Sequence, residues 1–252
     1  MSSLVVSNLT AGYERRPAIH HISATFEDGS LTAIAGPNGG GKSTFLKALV
    51  GLLPPMSGEI VFSGQHAACC KTAYLPQMSE IDRSFPMSVT DVVLMGCWRQ
   101  SGFFSRLTTR QRKRAAQALE QVGMSAFAHR PIAALSVGQF QRVLFARLMV
   151  EDAACYLLDE PFSAIDSRTT KDLLAIIRGW QEAGKTVLCV LHDMRQVQDY
   201  FPQAMLLARE VIAFGKTADV LTEAHMRKAA SMANIWHDHA DECHVDEGQD
   251  AS

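Results

Sequence analysis

No apolar run in this 252-residue chain approaches the ~20 residues that a helix needs to cross a bilayer, so a membrane span is not expected. The opening residues, Met1-Ser2-Ser3-Leu4-Val5-Val6-Ser7-Asn8, also lack the basic, apolar and small-residue zones of a secretory signal. A soluble, cytosolic chain is the expectation. The six cysteines (Cys69, Cys70, Cys97, Cys155, Cys189, Cys243) show no paired spacing, and Cys155 and Cys189 sit in apolar runs where a reduced thiol acts as a small hydrophobe. This argues against a disulfide framework. A cationic excess is missing as well: 24 Lys and Arg against 26 Asp and Glu give a net charge of −2, which offers no electrostatic reason to expect a nucleic-acid partner. No internal repeat is visible.

What is present is an ordinary globular composition, 47% hydrophobic and 20% charged, distributed unevenly. Six acids (Asp238, Asp241, Glu242, Asp246, Glu247, Asp250) fall in the last 21 residues, which contain no Lys or Arg, so residues 1–231 carry +4. A mildly basic body is followed by an acidic tail over 232–252.

Short runs rich in Val, Ile, Leu and Thr predict strands at Leu4 to Asn8, Ile22 to Phe26, Leu31 to Ala35, Ile60 to Phe62, Thr72 to Leu75, Cys155 to Leu158, Val187 to Leu191 and Ala204 to Ala208. Helical stretches lie among the later ones, at Lys42 to Val50, Gly138 to Val150, Thr169 to Ala183 and Met194 to Tyr200. Strand alternating with helix implies an α/β core with a largely parallel sheet covered on both faces. From about 85 to 140 the strand signals vanish, and helices over Val89 to Cys97 and Thr109 to Val122 predict an inserted helical subdomain. Thr108 and Gln111 have the spacing of a capping box for the second of these. The basic run Arg110-Gln111-Arg112-Lys113-Arg114 reads as a solvated helix face.

Gly36-Pro37-Asn38-Gly39-Gly40-Gly41-Lys42-Ser43-Thr44 follows the apolar run Leu31 to Ala35 and opens a helix, the context that the G-x-x-x-x-G-K-[ST] phosphate loop requires. Glycines free backbone N–H groups to converge on phosphate oxygens at a helix N-terminus. Lys42 can reach the β and γ oxygens, and the Ser43 hydroxyl suits Mg²⁺. Tyr156-Leu157-Leu158-Asp159-Glu160 ends a buried strand in two carboxylates. The first suits Mg²⁺ and the second the attacking water.

Further motifs stand in a fixed order: Tyr74-Leu75-Pro76-Gln77, Leu135-Ser136-Val137-Gly138-Gln139-Phe140-Gln141-Arg142, Ser163-Ala164-Ile165-Asp166 and Leu191-His192-Asp193. Together with the phosphate loop they resemble the ATP-binding subunits of ABC transporters, from Tyr13 to about Ala230. The resemblance implies an ABC-type P-loop NTPase core with an N-terminal antiparallel β portion. It implies ATP and Mg²⁺ as cofactors, with Glu160, His192, Gln77 and Lys42 in catalysis and Ser43, Gln77 and Asp159 around Mg²⁺. Tyr13 corresponds to the family's adenine-stacking aromatic, 29 residues before Lys42. Ser136, Gly138, Gln139 and Asp166 correspond to residues that complete the site of a second chain in a head-to-tail dimer. Val137 departs from the family pattern, which has Gly there, and a β-branched residue alters how closely backbone can approach phosphate.

Only 93 residues separate Ser43 from Ser136, with no sustained heptads, and there is one phosphate loop. That spacing disfavours a repair ATPase with a long coiled coil and a tandem translation factor. The remaining implication is a motor on the cytoplasmic face of the inner membrane. It would be attached peripherally to permease subunits and served by a periplasmic metal-binding protein. The stretch Ile81 to Gly96 is similar to that of zinc and manganese importers, with siderophore-iron importers as neighbours. Independently, His237, His239, Cys243 and His244 gather imidazole and thiolate ligands of the kinds zinc accepts.

Overall fold

The computed structural model describes residues 3–14, 16–63, 72–98 and 107–238. Two sheets organise them. Strands β1 (Ser3–Tyr13), β2 (Arg16–Glu27) and β4 (Ser57–Phe62) form an antiparallel sheet in the order β2-β1-β4. Strands β3 (Leu31–Ala35), β5 (Thr72–Leu75), β6 (Cys155–Asp159), β7 (Thr186–Val190), β8 (Gln203–Ala208) and β9 (Glu210–Lys216) form the second, ordered β5-β6-β7-β3-β8-β9. Its first five strands are parallel, and β9 closes the edge antiparallel to β8.

The central strands are buried at every position, as expected for a parallel sheet covered on both faces. Side chains alternate between two cores because the strand period is two. Tyr156 and Leu158 enter the core under the helical side, while Cys155 and Leu157 enter the core shared with the antiparallel sheet. The ends of β3, β6 and β7 thus reach one edge, from which the phosphate loop, Asp159-Glu160 and His192 emerge.

The described residues between 85 and 140 contain helices Val89–Leu94 and Thr109–Gln121, the first continued by a 3₁₀ turn over Met95–Cys97. Thr108 and Gln111 form the capping box their spacing predicts. Helix Val137–Glu151 then runs back against both.

Three features differ from the sequence reading. Strands β1 and β2 are about twice as long as their apolar cores, because left-handed Asn8 (φ 50°) and His21 (φ 48°) interrupt the alternation without ending the pairing. Strand β9 escapes notice because its residues are only half-buried and Gly215 interrupts it. Helices Thr217–Val220 and Glu223–Asp238 also lie beyond the expected elements, and the latter runs past residue 231 into the start of the acidic tail.

Candidate functional site

Strand β3 ends at Ala35, and the chain turns through Gly36 into a helix that starts at Lys42. Gly36 has φ 148°, and a Cβ there would meet the Leu207 carbonyl oxygen at 1.9 Å. Gly41, left-handed at φ 85°, is the helix N-cap, and its Cβ would lie 2.2 Å from Ile19 Cγ2. Only glycine fits either position. Gly41 offers no side-chain cap, and no acid occupies the first turn of helix Lys42–Leu49. Its terminal N–H groups therefore present positive potential outward.

Lys42 Nζ donates to the carbonyls of Gly36 at 2.9 Å and Pro37 at 2.8 Å, which folds the side chain back over the loop. Burial lowers its ammonium below the usual lysine range, while Glu160 and Asp159 pull the other way.

Asp159 ends β6 and is 1% exposed. Burial pushes its carboxyl above the ordinary aspartate range, and a hydrogen bond with Ser43 opposes this. One oxygen lies 3.5 Å from the Tyr74 hydroxyl; the other, Oδ1, is buried without a hydrogen-bond partner among the described residues. A buried carboxylate oxygen beside a serine hydroxyl is an oxygen donor set that fits a hard cation such as Mg²⁺.

Glu160, the next residue, adopts a left-handed φ of 48° just past the strand end. Oε1 lies 2.5 Å from His192 Nε2, and Oε2 accepts a 2.8 Å bond from the Ser163 hydroxyl. Burial alone would raise the Glu160 carboxyl; the bonds from His192 and Ser163 outweigh it and hold it below the ordinary glutamate range.

Asn38, Gly39, Gly40, Gly41, Lys42, Ser43, Thr44, Gln77, Glu160 and His192 line one open cleft of about 760 Å³, with Asp159 beneath it. Gly36 and Pro37 lie outside this lining and contribute the carbonyls that accept from Lys42. Tyr13, at the end of β1, is 49% exposed and lies outside the lining. Ser136, Gly138, Gln139 and Asp166 form a separate cluster. Ser136 caps helix Val137–Glu151 in a capping box with Gln139, Asp166 caps helix Ser167–Glu182, and a Cβ on Gly138 would touch Asp166 Oδ2 at 3.7 Å. Val137 occupies the first turn and is half-buried.

Three contributors went unremarked in the sequence. Ala18 lines the cleft, and Gly41 approaches its carbonyl so closely that a Cβ would come within 2.8 Å. Ser163 holds Glu160, and Tyr74 stands over Asp159. Ser163 and Tyr74 lie inside recognised motifs, so a signal existed; nothing in the sequence marks Ala18. Of the tail residues, His239, Cys243 and His244 lie outside the described residues, and His237 is described only as backbone in helix Glu223–Asp238.

Comparison with known proteins agrees with this arrangement. Residues 19–163 match the ABC transporter family. The zinc transport system ATP-binding protein TroB of Treponema pallidum is 42% identical over 226 residues, covering 89% of this chain and 85% of that protein. The manganese transport system ATP-binding protein MntB of Bacillus subtilis is 39% identical, covering 90% of this chain and 92% of its own length. Among solved structures, a chain described as part of a metal-chelate type ABC transporter in an inward-facing conformation superposes with a TM-score of 0.80 at 29% identity, over 92% of this chain and 90% of that one. The dimeric bacterial ABC transporter cassette MJ0796 gives a TM-score of 0.73 at 25% identity, over 85% of this chain and 98% of that one. With the phosphate loop, the strand-end carboxylates and His192 converging on one cleft, the chain belongs to the ABC transporter family, as one of its ATP-hydrolysing cassettes.

Proposed function

We propose that this chain is the motor of a metal-ion importer, closing head to tail with a second copy around ATP to drive a separate membrane permease. The observation that carries the catalytic part is the Glu160 carboxylate, held ionised by His192 and Ser163 at the mouth of the phosphate cleft. The loop N–H groups and Lys42 would hold the β and γ phosphates, and Gln77 would orient the attacking water. Glu160 accepts a proton from that water as its oxygen bonds to the γ-phosphorus; the bond to the bridging oxygen breaks, and the electron pair leaves with ADP. Ser43 and Asp159 would hold Mg²⁺, which supplies neutralisation of charge on the phosphates. Ser136, Gly138, Gln139 and Asp166 would serve the partner's site, where the capped helix end at Ser136 faces negative charge. Tyr13, exposed at the end of β1, would stack on the adenine.

No helix among the described residues is long and apolar enough to cross a membrane. Attachment to the cytoplasmic face therefore runs through the permease, with a periplasmic metal-binding protein delivering cargo. The metal assignment is supported by the relatives, which divide between zinc and manganese at 42% and 39% identity. Zinc is preferred because the tail residues His237, His239, Cys243 and His244 offer nitrogen and sulfur ligands, whereas manganese favours oxygen. The test is uptake into vesicles carrying this chain with its permease and binding protein. ATP-dependent zinc accumulation exceeding that of manganese is the expected result. Manganese uptake without zinc uptake would reassign the cargo, and uptake of neither metal would remove the importer reading.

A further inference from the structure

Two charged side chains join the phosphate helix to the start of the signature helix, and both belong to the segment that follows Gln77. Gln77 caps a 3₁₀ turn over Met78–Glu80, and Glu80 pairs with Lys47 at 2.6 Å, on the helix that begins at Lys42. Asp82 then closes a tight turn by accepting from Ser84 N at 2.8 Å, which leaves Arg83 projecting from the bend. The Arg83 guanidinium donates to the carbonyl of Leu135 and, at 3.4 Å, to that of Ile132, and it lies 5.0 Å over the ring of buried Phe140. Leu135 immediately precedes Ser136, and Phe140 lies on the first turns of the same helix. Backbone bonds from Ile132 N to Met87 O and from Val89 N to Arg130 O zip the two segments together just beyond this clamp.

We propose that Arg83 is a positioning residue that makes the signature segment follow nucleotide bound in the chain's own cleft. The inference rests on the nucleotide-binding reading given above and assigns a residue to the linkage within it. A movement of Gln77 or of the phosphate helix displaces the turn at Glu80, and a guanidinium fixed by two carbonyls and an aromatic face passes that displacement to Leu135 with little slack. The Ser136 hydroxyl accepts from Gln139 N while the Ser136 N–H, in the same peptide unit as the Leu135 carbonyl, donates to Gln139 Oε1, so moving that carbonyl moves the capping box and reorients the N–H groups that would meet the partner's phosphate. Coupling of this kind needs a contiguous chain of contacts with two arrangements, and the Lys47, Glu80, Arg83 and Leu135 series supplies the contacts.

The experiment is hydrogen exchange of the full chain carrying Glu160→Gln, with and without MgATP, at a concentration where light scattering shows monomers. It is repeated with Arg83→Met, which keeps length and apolar contact with Phe140 but removes the donor, and with Arg83→Lys, which restores a cationic donor. With Arg83 present, MgATP is expected to slow exchange across residues 36–46 and to change exchange across residues 132–140 by about fivefold or more. Arg83→Met should keep the first response and lose the second, and Arg83→Lys should recover part of it. An equal response of residues 132–140 with Arg83 and with Arg83→Met, or no response there while residues 36–46 are protected, overturns the role of Arg83. Absence of protection at residues 36–46 in the Arg83 chain instead overturns the nucleotide-site reading, and the linkage with it. Should Arg83→Met fail to fold, the Arg83→Lys chain decides alone: a 132–140 response smaller than that of the Arg83 chain, with intact protection at 36–46, supports the clamp, and a full response overturns it.

Discussion

His192 Nε2 lies 2.5 Å from Glu160 Oε1, and the opposite oxygen of the same carboxylate is held by Ser163. Both bonds favour the ionised form, so Glu160 titrates below the ordinary glutamate value of 4.5 despite its burial. The proposed general base must be deprotonated to work, so the acid limb of turnover is expected below the usual carboxylate range. Ser163→Ala removes one of the two bonds while the burial penalty remains, which raises the Glu160 pKa. Its acid limb should therefore move to higher pH in a kcat profile. A limb that stays in place or moves downward would show that Ser163 has no part in setting this group.

Asp159 bears the opposite sign. Burial raises its carboxyl above the ordinary aspartate value of 3.8, so the folded chain binds this proton more tightly than the unfolded chain. Its contribution to stability is therefore greatest at low pH and falls as pH rises from the ordinary carboxylate value through the raised one. Above the raised value the full penalty is present. Asp159→Asn should raise Tm at pH 7, by about 2–4 °C for each kcal/mol of penalty relieved, while weakening Mg²⁺-dependent nucleotide binding. Thermal unfolding with and without MgADP separates the two effects. A lower Tm without nucleotide would mean that the carboxylate stabilises the fold.

The loop glycines should differ sharply. A Cβ at Gly36 meets backbone at 1.9 Å, whereas one at Gly39 (φ 73°) meets nothing within 4 Å. Gly39→Ala should cost only the left-handed backbone penalty, about 1–2 kcal/mol, and keep nucleotide binding. Gly36→Ala must displace β8 from the loop and should cost well beyond that. Denaturant unfolding of both variants is the check, and equal losses would contradict the packing described for Gly36.

Ser136 carries both a structural and a functional expectation. Ser136→Ala removes a capping box and should cost about 1 kcal/mol of stability. Ser136→Arg places a cation and bulk where the partner's phosphate would lie. Mixed dimers of Lys42→Ala and Ser136→Arg chains gather both defects in one site and leave the other intact. Activity in purified mixed dimers above that of either parent is expected from shared sites, and activity no higher than either parent counts against independent shared sites.

The parts of the fold legible in the sequence are those where local pattern and tertiary environment agree. Strands β3 and β5 and helix Met194–Tyr200 match their predicted limits, because an apolar run or a capping Asp193 defines each end locally. Lys42 is legible from its fixed spacing in the glycine loop, and the paired carboxylates from their place at the end of an apolar strand run. Strand β9 was not, since its stability comes from pairing with β8 and not from its own alternation. Glu160's bond to His192 depends on β6 and β7 being neighbours, and that adjacency is set by sheet order. Arg83 was invisible for the same reason: its partner Leu135 lies 52 residues away and presents only a backbone carbonyl.

The central claim, that Glu160 is the base of an ATP-hydrolysing cleft, is tested most directly by steady-state ATP turnover of the intact chain and of Glu160→Gln. The amide is nearly isosteric but cannot accept the proton, so turnover should fall by about 10²–10⁴-fold while MgATP affinity stays within a few-fold. Turnover of the Gln variant close to that of the natural chain, with equal ATP binding, would contradict the assignment.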